Sequence, residues 1–197
     1  MTTAAPSSSA GERANRRLLD ARLVKAVGAG DLAAAQAAVA DGASVSVKGH
    51  GMEPLHVACD KGHLDIAQWL HSAGASLDAT DNRECIPLHN ACSRGHLGIA
   101  QWLHGAGASL NTTDCQGYTP LHFACWDGHL DIAQWLCSVG ADATLKTNAG
   151  HTLAQLLQAE RPGRAVQLDP QALRNTLACL VRRAQAQGPL PRPAAPV

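Results

Sequence analysis

One nine-residue phrase governs what this chain can fold into. Residues 62–70 read GHLDIAQWL, residues 95–103 read GHLGIAQWL and residues 128–136 read GHLDIAQWL, at a constant step of 33 residues. A fixed period of this length marks a stack of similar supersecondary units, each too thin to bury its apolar face alone. A single compact core gives a 197-residue chain no reason to carry such copies.

The phrase itself is helical. Ile66, Trp69, Leu70 and Ala73 fall at i, i+3, i+4 and i+7, with Asp65, Gln68 and Ser72 on the other side. Upstream, Pro54 opens a first helix where a missing N–H costs nothing, and Gly62 closes it. Between copies, runs such as ASLDATDN supply turn residues. Each unit is therefore a helix pair plus a projecting turn. Full units are expected at 48–80, 81–113 and 114–146, preceded by a capping unit at 18–47 that lacks their histidines. A divergent unit at 147–160 stays in register through Gly150, and Asp169-Pro170 signals a capping helix within 161–187. Residues 1–17 read as a disordered tail and 188–197 as a Pro-rich extended one.

Charge and cysteine usage narrow the function. Sixteen basic and sixteen acidic side chains cancel, but between Lys48 and Thr147 ten acids face five bases. An acidic middle argues against nucleic acid as a partner, since phosphate contacts need clustered Lys and Arg. Seven cysteines, an odd number without CxxC spacing, point to a reducing compartment, cytoplasmic or nuclear. No apolar run reaches spanning length, so no membrane insertion is expected.

Ten histidines beside seven cysteines invite a zinc reading. Their spacing opposes it: His56, His89 and His122 are copies of one position, as are His63, His96 and His129, and copies lie one repeat apart rather than around one ion. Cys59, Cys92 and Cys125 are likewise one column, suited to small buried thiols rather than nucleophiles. Neither a metal nor a cofactor is expected, and no nucleophile elbow or phosphate-binding glycine loop is present.

The segments EPLHVAC (53–59), IPLHNAC (86–92) and TPLHFAC (119–125), each followed by its GHL helix, closely resemble the ankyrin repeat over about 18–160. The resemblance implies an all-α solenoid of stacked antiparallel helix pairs with β-turn fingers, a concave groove, and protein binding without catalysis. Departures stand at Glu53 and Ile86 in place of the usual Thr, at Glu84 in place of the turn Gly, and at Trp69, Trp102 and Trp135 in place of Leu. The resemblance also implies structural histidines that tie adjacent turns together, and a finger position, Asn111, of the kind that asparaginyl hydroxylases modify.

Comparing columns locates the candidate site. Trp126 aligns with Asp60 and Ser93, and Tyr118 with Met52, Cys85 and His151, so two aromatics stand where the other copies are mostly polar or small. Trp69, Trp102 and Trp135 are expected in the core. The expected protein-binding face comprises His50, Met52, Asp60, Lys61, Arg83, Cys85, Arg94, Gln116, Tyr118, Trp126 and Asp127, with Trp126 as anchor. The chain is read as a monomeric interaction scaffold for a protein partner that the sequence does not identify. The alternative is a substrate adaptor for a ubiquitin ligase, resting on a weak box-like match in TLACLVRRAQAQGPLPRP (176–193).

Overall fold

In the computed structural model, the structure describes residues 8–158 and, beyond them, Asn175, Thr176, Ala178, Cys179, Arg182 and Gln185. The chain divides into two compact units, one running up to Ala108 and the other beginning at Ser109. Among the described residues all regular structure is helical, apart from an isolated bridge between Gly49 and Met52.

The first unit holds α1 (Ser8–Ala29), α2 (Leu32–Ala40), α3 (Pro54–Lys61), α4 (Leu64–Ser72), α5 (Pro87–Arg94) and α6 (Leu97–Gly105). The second holds α7 (Pro120–Asp127), α8 (Leu130–Val139) and α9 (Leu153–Gln158). Within the first, α1 packs on α2 and α3, α3 on α4 and α5, and α5 on α6; within the second, α7 packs on both α8 and α9. The expected helix pairs are present.

Local chemistry explains the boundaries. Pro54, Pro87 and Pro120 each occupy the first helical turn, and Gly62, Gly95 and Gly128 end the helices in the left-handed region at φ of 84°, 80° and 83°. The glycines have a second role in the first unit. A Cβ on Gly62 would stand 2.7 Å from the His96 ring, and one on Gly30 would stand 2.8 Å from the His63 ring. His63 and His96 thus lie on the bare backbone of the glycine one repeat earlier.

The core of the first unit is built from Leu23, Leu55, Ile66, Leu70, Leu88 and Leu103, all with no exposed surface, and that of the second from Leu121, Ile132 and Leu136. Each such side chain contributes roughly 1.5–3 kcal/mol relative to exposure in water.

Two expectations need correction. Residues from Ser8 onward are helical rather than disordered, because Glu12, Arg13, Ala14, Arg16 and Arg17 are good helix formers that extend a helix anchored by buried Leu19, Leu23 and Val27. Trp69, Trp102 and Trp135 are only half-buried. The deep side of α4 is centred on Ile66, Ala67 and Leu70, which leaves Trp69 near the margin of the apolar stripe and Ala73, at the C-cap, exposed. The capping helix expected from Asp169-Pro170 and the box-like stretch at 176–193 lie mostly outside the described residues, although Thr176 is buried and its hydroxyl accepts from Gln134 Nε2 at 2.8 Å.

Candidate protein-binding surfaces

The finger turns are built by one short polar code. Asp81 Oδ1 accepts the backbone N–H groups of Arg83 (2.7 Å) and Cys85 (2.9 Å), while Asp114 Oδ1 accepts those of Gln116 (2.9 Å) and Tyr118 (2.8 Å). Each turn closes on a left-handed residue: Glu84 at φ 64° in the first, Gly117 at φ 82° in the second. An aspartate at the turn start thus fixes where the next residues project.

Histidines then tie fingers to helices. The His56 Nε2–H donates to the Cys85 carbonyl at 3.0 Å, and the His96 Nε2–H donates to the Asp60 carbonyl at 3.2 Å. His89 Nδ1 accepts the Ile86 N–H and His122 Nδ1 accepts the Thr119 N–H, both at 3.1 Å. His56, His89 and His122 are buried. Burial disfavours the imidazolium and holds the pKa of His56 below the ordinary 6.5, against an opposing pull from its bond to Cys85. Burial likewise raises the Glu53 carboxyl above 4.5, with Lys48 acting the other way. The Cys59 and Cys92 thiols are pushed up by complete burial, which leaves them without thiolate character. Among the described residues no three His, Cys, Asp or Glu side chains group to hold a metal ion.

In the first unit, the structure joins three of the expected site residues. Arg94 Nε lies 2.6 Å from Asp60 Oδ1 and Lys61 Nζ lies 3.4 Å from Asp60 Oδ2. Asp60 is 14% exposed, whereas Arg94 and Lys61 are 59% and 53% exposed, so the pair shows its cationic side outward. His50 and Arg83 are exposed at finger turns, His50 itself being left-handed at φ 51°. Met52 is half-buried, with Asn90 Nδ2 at 3.8 Å from its sulfur. Cys85 must be removed from the site. It is 5% exposed, because the backbone bonds on both sides of it fold its side chain under the turn.

In the second unit, Gln116 is exposed and Asp127 half-exposed. Tyr118 and Trp126 meet edge-on, with centroids 6.2 Å apart at 69°. Phe123 completes the group, its centroid 5.8 Å from that of Tyr118, and His122 packs beneath at 5.9 Å. All three aromatic rings are partly exposed. Phe123 and Asn90 are further candidates missed from the sequence, although the signal existed: their column reads Val57, Asn90, Phe123, as variable as the column that exposed Trp126. Asn111, at a finger in the same unit, is exposed, and its Oδ1 accepts the Asp142 N–H at 2.9 Å.

Helix pairs at a 33-residue step, their first helices glycine-closed, with histidine-braced turns define an all-α repeat protein of the kind that offers side chains from turns and helix ends. Two family models match the sequence: ankyrin repeats in three copies over residues 73–147, and ankyrin repeats in many copies over residues 39–88. Together the matches run from 39 to 147, more than half of the chain. The protein belongs to the ankyrin repeat family, whose members generally mediate protein–protein interaction. No described helix is long and apolar enough to cross a membrane.

Proposed function

We propose that this protein is a non-catalytic scaffold that binds a protein partner through the side chains its fingers and first helices present. The observation that carries the reading is the Tyr118–Phe123–Trp126 group, in which the Tyr118 ring packs against both of the others yet each residue stays partly exposed. Paired aromatics at a surface combine large contact area with little rotamer entropy to lose, which is the usual make-up of a binding hot spot. In the same unit Gln116 and Asp127 supply polar contacts beside that anchor, while in the first unit His50, Met52, Asp60, Lys61, Arg83 and Arg94 offer a second set of side chains. The reading places the protein in the cytoplasm or nucleus, where its free thiols are stable.

The test is affinity capture from the native cell, comparing wild type with Trp126→Ala. Loss of a discrete set of proteins in the variant, at unchanged thermal stability, supports the anchor. Identical captured sets from both proteins would remove Trp126 from the interface.

A further inference from the structure

The first unit contains a cavity of about 460 Å³ between α1 and the chain at 47–50. Its floor is aliphatic, formed by Ala21, Val24 and Val47, and the backbone closes tightly there, since a Cβ on Gly49 would stand 3.0 Å from the Val24 side chain. Its rim is cationic. Arg17, Lys25 and Lys48 all line it and all are exposed. Against these three cations stands one carboxylate, Asp20, whose Oδ1 already accepts the Ser44 N–H at 2.9 Å. Among the described residues none of the three cations enters an ion pair; Lys48 Nζ donates to the Thr80 carbonyl at 2.9 Å, and its charge also acts on the Glu53 carboxyl.

We infer that this cavity is a docking site for an acidic peptide segment that inserts one aliphatic side chain between the flanking carboxylates. The volume lies in the range of ligand pockets, roughly 300–1,000 Å³. An aliphatic floor selects an aliphatic side chain, and a rim of three cations against one lining carboxylate selects carboxylates on either side of it. Nucleic acid fits less well, because the lining offers the His50 imidazole but no Phe, Tyr or Trp ring on which a base can stack. The neighbouring cavity lined by Glu12, Arg13, Arg16 and Asp41 shows the contrast: its charges balance, so it selects neither sign. The inference rests on the chain being a protein-binding module, and adds the chemistry of one partner segment. It joins Arg17 and Lys25 of α1 to Lys48 at the start of the first full repeat.

The probe is a fluorescein-labelled peptide in which one leucine is flanked on both sides by glutamates, titrated with the full chain and followed by anisotropy. Saturable binding is expected, weakening as salt is raised. Exchanging the peptide's leucine for serine is expected to weaken it about tenfold or more. The Lys25→Glu, Lys48→Glu double variant should lose binding, while Lys25→Arg and Trp126→Ala retain it, with circular dichroism and melting first showing each variant folded. Equal binding of the leucine and serine peptides, retention by the charge-reversed variant, or equally tight binding of a single-stranded oligonucleotide of the same net charge would overturn the inference. Trp126 lies in the other unit, so a failure here with capture still dependent on Trp126 sinks the cavity alone; the converse sinks the aromatic anchor alone.

Discussion

Replacing Glu84 by glycine should stabilise the protein. Glu84 closes its finger turn at φ 64°, where its N–H donates to the Asp81 carbonyl at 3.1 Å, and the equivalent positions are glycines at φ 86° (Gly51), 82° (Gly117) and 79° (Gly150). A side chain held in the left-handed region costs about 1–2 kcal/mol, from the approach of Cβ to the backbone carbonyl. Glycine returns about 0.5–1 kcal/mol of that through the extra freedom it has when unfolded. The net expectation is a gain of about 0.5–1 kcal/mol, which at a urea slope near 2 kcal/mol/M moves the unfolding midpoint up by about 0.3–0.5 M. The assay is urea unfolding followed by circular dichroism. An unchanged or lowered midpoint at constant slope would refute the reasoning, and would mean that the Glu84 side chain makes compensating contacts. The mirror experiment is Gly117→Ala. There the added Cβ would meet the Asn148 backbone nitrogen at 2.7 Å, and that N–H donates to the Gln116 carbonyl at 2.9 Å. Strain and a displaced hydrogen bond together should cost about 2–3 kcal/mol.

Trp102→Ala should cost about 2 kcal/mol rather than the 3–5 kcal/mol of a fully buried ring, because Trp102 is half-exposed and its ring contact is the edge of His71 at 6.0 Å; equilibrium unfolding measures it. Glu53, with its carboxyl raised above 4.5, favours the neutral acid when folded; that contribution is present below the unfolded value and lost as pH rises through the folded one. Glu53→Gln should therefore raise the melting temperature at about pH 7 and lose the advantage near pH 4. For His56 the sign reverses: with a pKa held below 6.5, its contribution is present above 6.5 and lost as pH falls through the folded value. Melting temperature should drop as pH falls from 6.5 through the folded value, and drop less in His56→Gln, whose amide N–H can still reach the Cys85 carbonyl. A thiol reagent at neutral pH should label exposed Cys115 rapidly, while buried Cys59, Cys92 and Cys125 react only on unfolding, as peptide mapping of the labelled protein would show.

The candidate site was legible where side-chain identity varies against the repeat. Trp126 and Tyr118 stood out because their columns hold polar or small residues elsewhere, and the structure does bring the two rings together. Cys85 failed the same logic, since a column shows that a residue differs but not whether its side chain lies over or under the turn. Arg17 and Lys25 were invisible to it, as α1 has no repeat register in which to look unusual.

The sequence alone determined the unit length and, within the repeats, the helix boundaries and the turn positions, because each depends on residues within a few steps of one another: Pro54 at a helix start, Gly62 at its end, Asp81 opening a turn. Only the tertiary structure decided which stripe margin meets water, leaving Trp69 and Trp102 half-exposed, and which cations surround an aliphatic floor. Burial is a property of what packs opposite a residue, and for α1 that neighbour is the chain at 47–50, about twenty-five residues away.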